Sequence, residues 1–187
     1  MAKRVVLLAS GTGSLAAAIL SASRAGEIDL DFVGLISDKD SPALEIARSH
    51  QVPAIFIPMV SDRAEWDQQI YQAVSELKPD LVVSVGFMRI LAPQFVSDFQ
   101  VINTHPSLLP LYPGAHAVRD ALAAGATVTG TSVHLVDAGL DTGPVILQRQ
   151  VEILPEDDES TLHERIKIVE RALIVEVLAE YGQTGKL

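Results

Sequence analysis

The chain has 187 residues, 48% hydrophobic and 20% charged, a profile that suits one domain with a sizeable core and excludes a disordered protein. A formal net charge of −10 speaks against a nucleic-acid partner, which needs a basic face. With no cysteine, disulfides, thiolate metal sites and cysteine nucleophiles are excluded, and no stretch reaches the ~20 apolar residues of a membrane span.

Residues 5–9 (VVLLA) read as a buried first strand. The leading MAKR and this short run fall short of a signal peptide, so a cytoplasmic protein with no membrane partner is expected. The next stretch, SGTGSLA at residues 10–16, joins that strand to an Ala- and Leu-rich helix over 14–24. Glycine there lets a ligand approach the backbone, and the free N–H groups of the helix start attract anions. Residues 10–16 thus form a candidate phosphate cradle. Gly11, Gly13 and Ala16 also fit the dinucleotide pattern G-x-G-x-x-G/A, with Asp38 placed to act as a ribose-binding acid. The plainer alternative is a tight strand–helix turn.

Apolar runs recur at residues 32–36, 54–57 and 81–85. Their continuous apolarity suits strands covered on both faces. Between them lie a helix over 42–50, with Ser41 as N-cap and Pro42 at its first position, and a helix over 64–77. The second places Trp66, Ile70, Ala73, Val74 and Leu77 on one face. This order predicts an α/β fold: a doubly wound, mostly parallel sheet with right-handed crossovers and helices on both faces. SVGFMRIL at 84–91 follows the fourth strand. Met88, Ile90 and Leu91 can wall an apolar slot and Arg89 can meet a carboxylate; otherwise this is a strand-to-loop transition.

VINTHPSLLPLYPGAH at 101–116 places Val101, Asn103 and His105 on one face of an extended chain. Open parallel sheets bind ligands beyond the carboxyl ends of their strands. An Asn amide there can donate to a developing oxyanion, and a His can transfer protons near neutral pH. Alternatively both residues cap the turn before Pro106. A helix over 115–124 and strands over 127–136 and 143–153 follow, extending the sheet with a mixed or antiparallel edge. His134 within the first of these either faces the same pocket or is a hydrogen-bonded structural residue. In the connecting DAGLDTGP, Asp141 is a turn residue or a carboxylate beside His105 that favours the imidazolium. The last helix is expected over 160–181, with Thr161 and Glu164 as a capping box and Ile166, Val169, Leu173 and Val177 as its buried stripe. Arg63 and Lys167 are candidate anion partners or solvated charges; His50 and His163 read as helix-surface residues and His116 as a loop residue.

Together LLASGTGSL, GFMRIL, INTHPSLLPLYPGAH, GTSVHLVDAGLDTGPVILQ and RIKIVERAL resemble the phosphoribosylglycinamide formyltransferase family of folate-dependent enzymes, over almost the whole chain. The resemblance implies the formyltransferase fold in a single domain over 1–187, with a Rossmann-like phosphate-binding half (1–100) and a catalytic half (101–187) closed by the last helix. It also implies transfer of a formyl group from 10-formyltetrahydrofolate to the amine of 5'-phosphoribosylglycinamide in purine biosynthesis, with no metal. By position it assigns catalysis to Asn103, His105 and Asp141, and the substrate phosphate to Gly11–Leu15. The family pattern often has Asn where Leu15 stands, so phosphate binding would lean on backbone N–H groups. The glycinamide-binding stretch matches Lys167 to Glu170. Folate contacts match Arg63, Met88, Arg89, Ile90 and Leu91, with Asn103 and the loop Asp137, Ala138, Gly139, Leu140 and Asp141. Expected partners are therefore small molecules, and a homodimer is compatible with these features.

Rival readings remain. Formyltetrahydrofolate hydrolases and methionyl-tRNA formyltransferases resemble the same core but typically carry a further domain, for which this chain is expected to have no room. A nicotinamide-binding oxidoreductase explains only the first loop. So does a nucleotide-sensing module without catalysis.

Overall fold

Alternation along the first strand explains the layering of the molecule. In β1 (Lys3–Leu8), Val5 and Leu7 enter one core while Val6 and Leu8 enter another on the opposite face of the sheet. The computed structural model describes residues 2–187. Its remaining elements are α1 (Ser14–Arg24), β2 (Leu30–Ser37), α2 (Pro42–Ser49), β3 (Ala54–Phe56), α3 (Arg63–Leu77), β4 (Leu81–Ser84) and α4 (Pro93–Asp98). They continue with β5 (Val101–His105), α5 (Ala117–Ala123), β6 (Val128–Leu135), β7 (Val145–Glu152) and α6 (Glu159–Thr184).

The seven strands form one sheet in the order β3-β2-β1-β4-β5-β6-β7. β1 to β5 pair in parallel, and β6 and β7 are antiparallel additions at the edge, as expected from the change in sequence style. One core gathers α1, α2 and α6 on one face of the sheet, and the other gathers α3 and α4 on the opposite face. Trp66, Ile70 and Val74 are the fully buried part of the α3 stripe, with Trp66 Nε1 donating to the Ile57 carbonyl at 3.2 Å.

Several local expectations are corrected. The cap of α6 lies one turn earlier than Thr161 and Glu164: Asp158 accepts from the Thr161 N–H, and the Thr161 hydroxyl accepts from the Asp158 N–H. Glu164 is bound instead to Lys167. Ser41 is the N-cap of α2 by position, but its hydroxyl meets Ser37 Oγ at 3.1 Å rather than the helix N–H groups. α4, with Pro93 in its first turn, lies in a segment too short to show a period. Within the α6 stripe, Val169 is only partly buried, and Leu162, Ile174 and Leu178 carry more of the contact.

Candidate active site

Parallel pairing of β4 with β5 brings Ser84 beside Asn103, and antiparallel pairing sets Asn103 opposite His134 and His105 opposite Ser132. Asn103 and His105 therefore share the face expected of them, at the carboxyl ends of the parallel strands. Thr104, between them, faces the other side.

The third member arrives from the loop after β6. Asp141 Oδ2 lies 3.5 Å from His105 Nδ1, and Asp141 Oδ1 lies 3.6 Å from His134 Nε2. The Gly114 N–H donates to the same Oδ2 at 2.8 Å. Asp141 has φ +55, a left-handed conformation that Asp and Asn tolerate better than most residues.

Hydrogen-bond chemistry assigns the protons. His105 Nε2 sits 2.9 Å from the Tyr112 carbonyl, which can only accept, so Nε2 carries a hydrogen. Nδ1 then faces Asp141, and an imidazolium at His105 has an oxygen opposite each N–H. His134 Nδ1 likewise faces a carbonyl, that of Leu135, at 2.8 Å. Burial pushes the His134 pKa below its ordinary value, against the pull of the Leu135 carbonyl and Asp141, so the ring is neutral at pH 7. Its Nε2 lone pair accepts from Asn103 Nδ2 at 3.2 Å. This orients the Asn103 amide with its second N–H free to donate elsewhere.

The loop after β1 has two different glycines. Gly13 is left-handed at φ +74, and a Cβ there would come within 2.8 Å of Ala43 Cα in α2. Packing and conformation therefore demand glycine at 13, whereas a Cβ on Gly11 would meet nothing within 4 Å. Open space beside Gly11 is what a ligand approaching the backbone needs. α1 starts without a side-chain cap and with no acidic residue in its first turn, which leaves its N–H groups to an anion. Thr12 is exposed and Ser14 half-buried. The Leu15 side chain is buried in the core, so only its backbone is offered to a ligand.

Asp38 does not serve as a free ribose-binding acid. Its carboxylate accepts from Ser10 Oγ at 2.5 Å and from Arg89 Nε at 2.6 Å. Arg89 thus meets a carboxylate of the protein itself. Met88 and Ile90 flank it with 60% and 66% of their surface exposed, while Leu91 turns into the core with Phe87 and Phe95. The expected slot therefore has Met88 and Ile90 as its exposed apolar groups and not Leu91. Arg63 donates to the Ile90 carbonyl and to Asp67, so it braces this loop.

In the loop before Asp141, the Asp137 carboxylate accepts from the Gly139 N–H at 2.9 Å and from Thr142 Oγ1 at 2.7 Å. These bonds hold its pKa below the usual carboxylate value and close the turn. Ala138 and Leu140 are exposed at its tip. On α6, Lys167 pairs with Glu164 at 2.7 Å, as a surface charge would, while Glu170 one turn on is only 5% exposed.

Sequence reasoning did not single out the Tyr112 carbonyl, the Gly114 N–H or the bond between His134 and Asn103. Backbone groups carry no residue signature, and the only cue to His134 was its place inside a strand of mixed Thr, Ser and Val content. Among the described residues, no group of three or more His, Asp or Glu side chains is arranged to hold a metal ion, and no helix is long and apolar enough to cross a membrane.

Residues 3–178 match the formyl transferase family ("Formyl transferase"). The chain is 50% identical over 186 residues to a phosphoribosylglycinamide formyltransferase of Mycobacterium tuberculosis, covering 97% of this chain and 86% of that protein. It is 38% identical over 188 residues to the Escherichia coli protein of the same name, covering 98% and 88%. A glycinamide ribonucleotide transformylase from Symbiobacterium toebii has the same fold, with a TM-score of 0.93 and 35% identity over 97% of this chain and 88% of the other.

Proposed function

The chain belongs to the formyl transferase family, and on that premise we propose that it moves the formyl group of 10-formyltetrahydrofolate onto the amine of 5'-phosphoribosylglycinamide. The observation that carries this reading is the convergence of Asn103, His105 and Asp141 at one end of the sheet. The substrate amine attacks the formyl carbon and forms the new C–N bond, while the carbonyl electrons move onto oxygen. The free N–H of Asn103 is the donor for that oxyanion, and the positive charge of a protonated His105, whose two N–H groups face Tyr112 and Asp141, stabilises it from beside. As the intermediate collapses, the bond to the folate nitrogen breaks. That nitrogen gains a proton and the attacking nitrogen loses one, with His105 and Asp141 as the relay.

The phosphate is assigned to the backbone N–H groups of Gly11 to Leu15, supported by the open space at Gly11 and the uncapped start of α1. The folate is assigned to Met88, Arg89 and Ile90 together with the 137–141 loop. The apolar exposure of Met88, Ile90 and Leu140 supports this. A cytoplasmic setting belongs to the same proposal and accords with the cysteine-free sequence.

Glu170 is assigned to the ribose or amine of the substrate, and its burial gives a test. Burial pushes its carboxyl from 4.5 up to about 7, with Thr104, Lys167 and Arg171 pulling the other way. The Thr104 hydroxyl itself has no well-formed hydrogen bond. Between those two pH values the folded state holds a proton that the unfolded chain has released. Stability therefore falls as pH rises through this window, and above it the buried charge costs up to roughly 3 kcal/mol. Glu170→Gln is expected to raise the Tm at about pH 8 and leave it unchanged at about pH 4. Equal Tm differences at the two pH values would contradict the buried-acid assignment.

The function itself is tested by following tetrahydrofolate formation by absorbance, with and without glycinamide ribonucleotide. Formation that depends on the ribonucleotide is expected. Equal rates with release of free formate would make the protein a hydrolase instead.

A further inference from the structure

Gln148 lies on β7, the edge strand, and its side-chain bonds go neither to Asn103 nor to His105 nor to Asp141. Its amide nitrogen donates to the Leu109 carbonyl and to Ser132 Oγ, both at 2.8 Å. Ser132 Oγ is thereby saturated. It donates its one hydrogen to the Ser107 carbonyl at 2.6 Å and accepts also from the Leu109 N–H at 3.1 Å. The loop that follows β5 is thus stapled at Ser107 and Leu109 to the two antiparallel strands.

The staple is continuous with the catalytic pair. Within the loop, Ser107 Oγ donates to the Leu111 carbonyl at 2.5 Å, and the Leu111 N–H donates to the Leu108 carbonyl at 3.0 Å. The next residue, Tyr112, has a left-handed φ of +53 and aims its carbonyl at His105 Nε2. Gly114 then donates its N–H to Asp141. One loop therefore supplies the outer partner of both His105 and Asp141, and a non-glycine residue in that conformation persists only when its surroundings hold it there.

We propose that Gln148 is a positioning residue for formyl transfer: by anchoring the 107–114 loop it decides which nitrogen of His105 carries the hydrogen and where the Asp141 carboxylate points. The physical reason is that the Tyr112 carbonyl demands a hydrogen on Nε2 and so turns Nδ1 to Asp141. A loop released at Leu109 no longer holds that carbonyl in place, and the ring is free to change tautomer. The inference rests on the reading of His105 and Asp141 as the acid–base pair.

Gln148→Met keeps the length of the side chain and removes both donors. In the full-length protein at alkaline pH, where a histidine ring is uncharged, nitrogen-15 NMR of the imidazoles reports the His105 tautomer, and steady-state kinetics report catalysis. The variant is expected to replace the single Nε2–H signature of wild type by a mixture, with kcat lower by about 10- to 100-fold and both KM values within about threefold. Ser132→Ala cuts the same staple from its other side and serves should Gln148→Met not fold; its effect and that of Gln148→Met are expected to be non-additive. A wild-type His105 signature in a folded variant of either kind overturns the proposal, whatever happens to kcat. Absence of formyl transfer by the wild-type protein overturns the functional reading instead, and the tautomer comparison separates the two.

Discussion

Replacing Asn103 by Ala is expected to lower kcat by about 100- to 1000-fold while KM for both substrates changes little. The argument is one of timing. A donor aimed at an oxygen that becomes negative during reaction stabilises the transition state more than the bound substrate. Asn103 is suited to this because one of its two N–H groups is committed to His134 Nε2 and the other is left for the formyl oxygen. His134 is kept neutral by burial, so it accepts from the amide without competing for the substrate. The folded state should survive the change, since a neutral hydrogen bond contributes only about 1 kcal/mol net. Turnover under saturating substrates is the measurement, with thermal melting as the control. A kcat within a few-fold of wild type in a folded Asn103→Ala protein would remove Asn103 from the mechanism.

The second large effect is expected at Asp141→Asn, with a loss of about 100- to 10,000-fold in kcat, the range for removing an acid–base partner. The substitution is unusually clean here. Asn tolerates the left-handed backbone found at this position and keeps an oxygen to accept from the Gly114 N–H. What it removes is the negative charge 3.5 Å from His105 Nδ1, and with it the group that stabilises an imidazolium. Asp141→Ala is the poorer test, because it also disturbs the loop. Single-turnover measurement separates chemistry from product release. Near-normal single-turnover rates in Asp141→Asn would show that the proton path does not run through this carboxylate.

The spacing of these residues explains why some of the site was legible early. Asn103 and His105 are two apart on an extended segment, so strand geometry alone puts them on one face. Asp141 lies in a loop of ordinary turn residues, where the sequence left open a turn role or a place beside His105, and only resemblance to known formyltransferases chose between the two. The Gly-rich loop was legible as a loop, but not the division of labour inside it. The need for glycine at 13 comes from α2 packing against it, a contact that no local pattern announces. Asp38 read as a ligand-facing charge and instead pairs with Arg89, 51 positions along the chain.

Composition, hydrophobic period and short motifs by themselves determined the doubly wound sheet, its antiparallel edge, the Gly-rich loop after the first strand and the face shared by Asn103 and His105. These follow from contiguous residues, because strand and helix periodicities are local properties of the chain. The tertiary structure alone decided the neutral state of His134, the burial of Glu170, the pairing of Asp38 with Arg89 and the carbonyl that sets the His105 tautomer. Each of those depends on desolvation or on a hydrogen-bond partner brought in by folding, so none is written in the stretch of sequence that contains the residue.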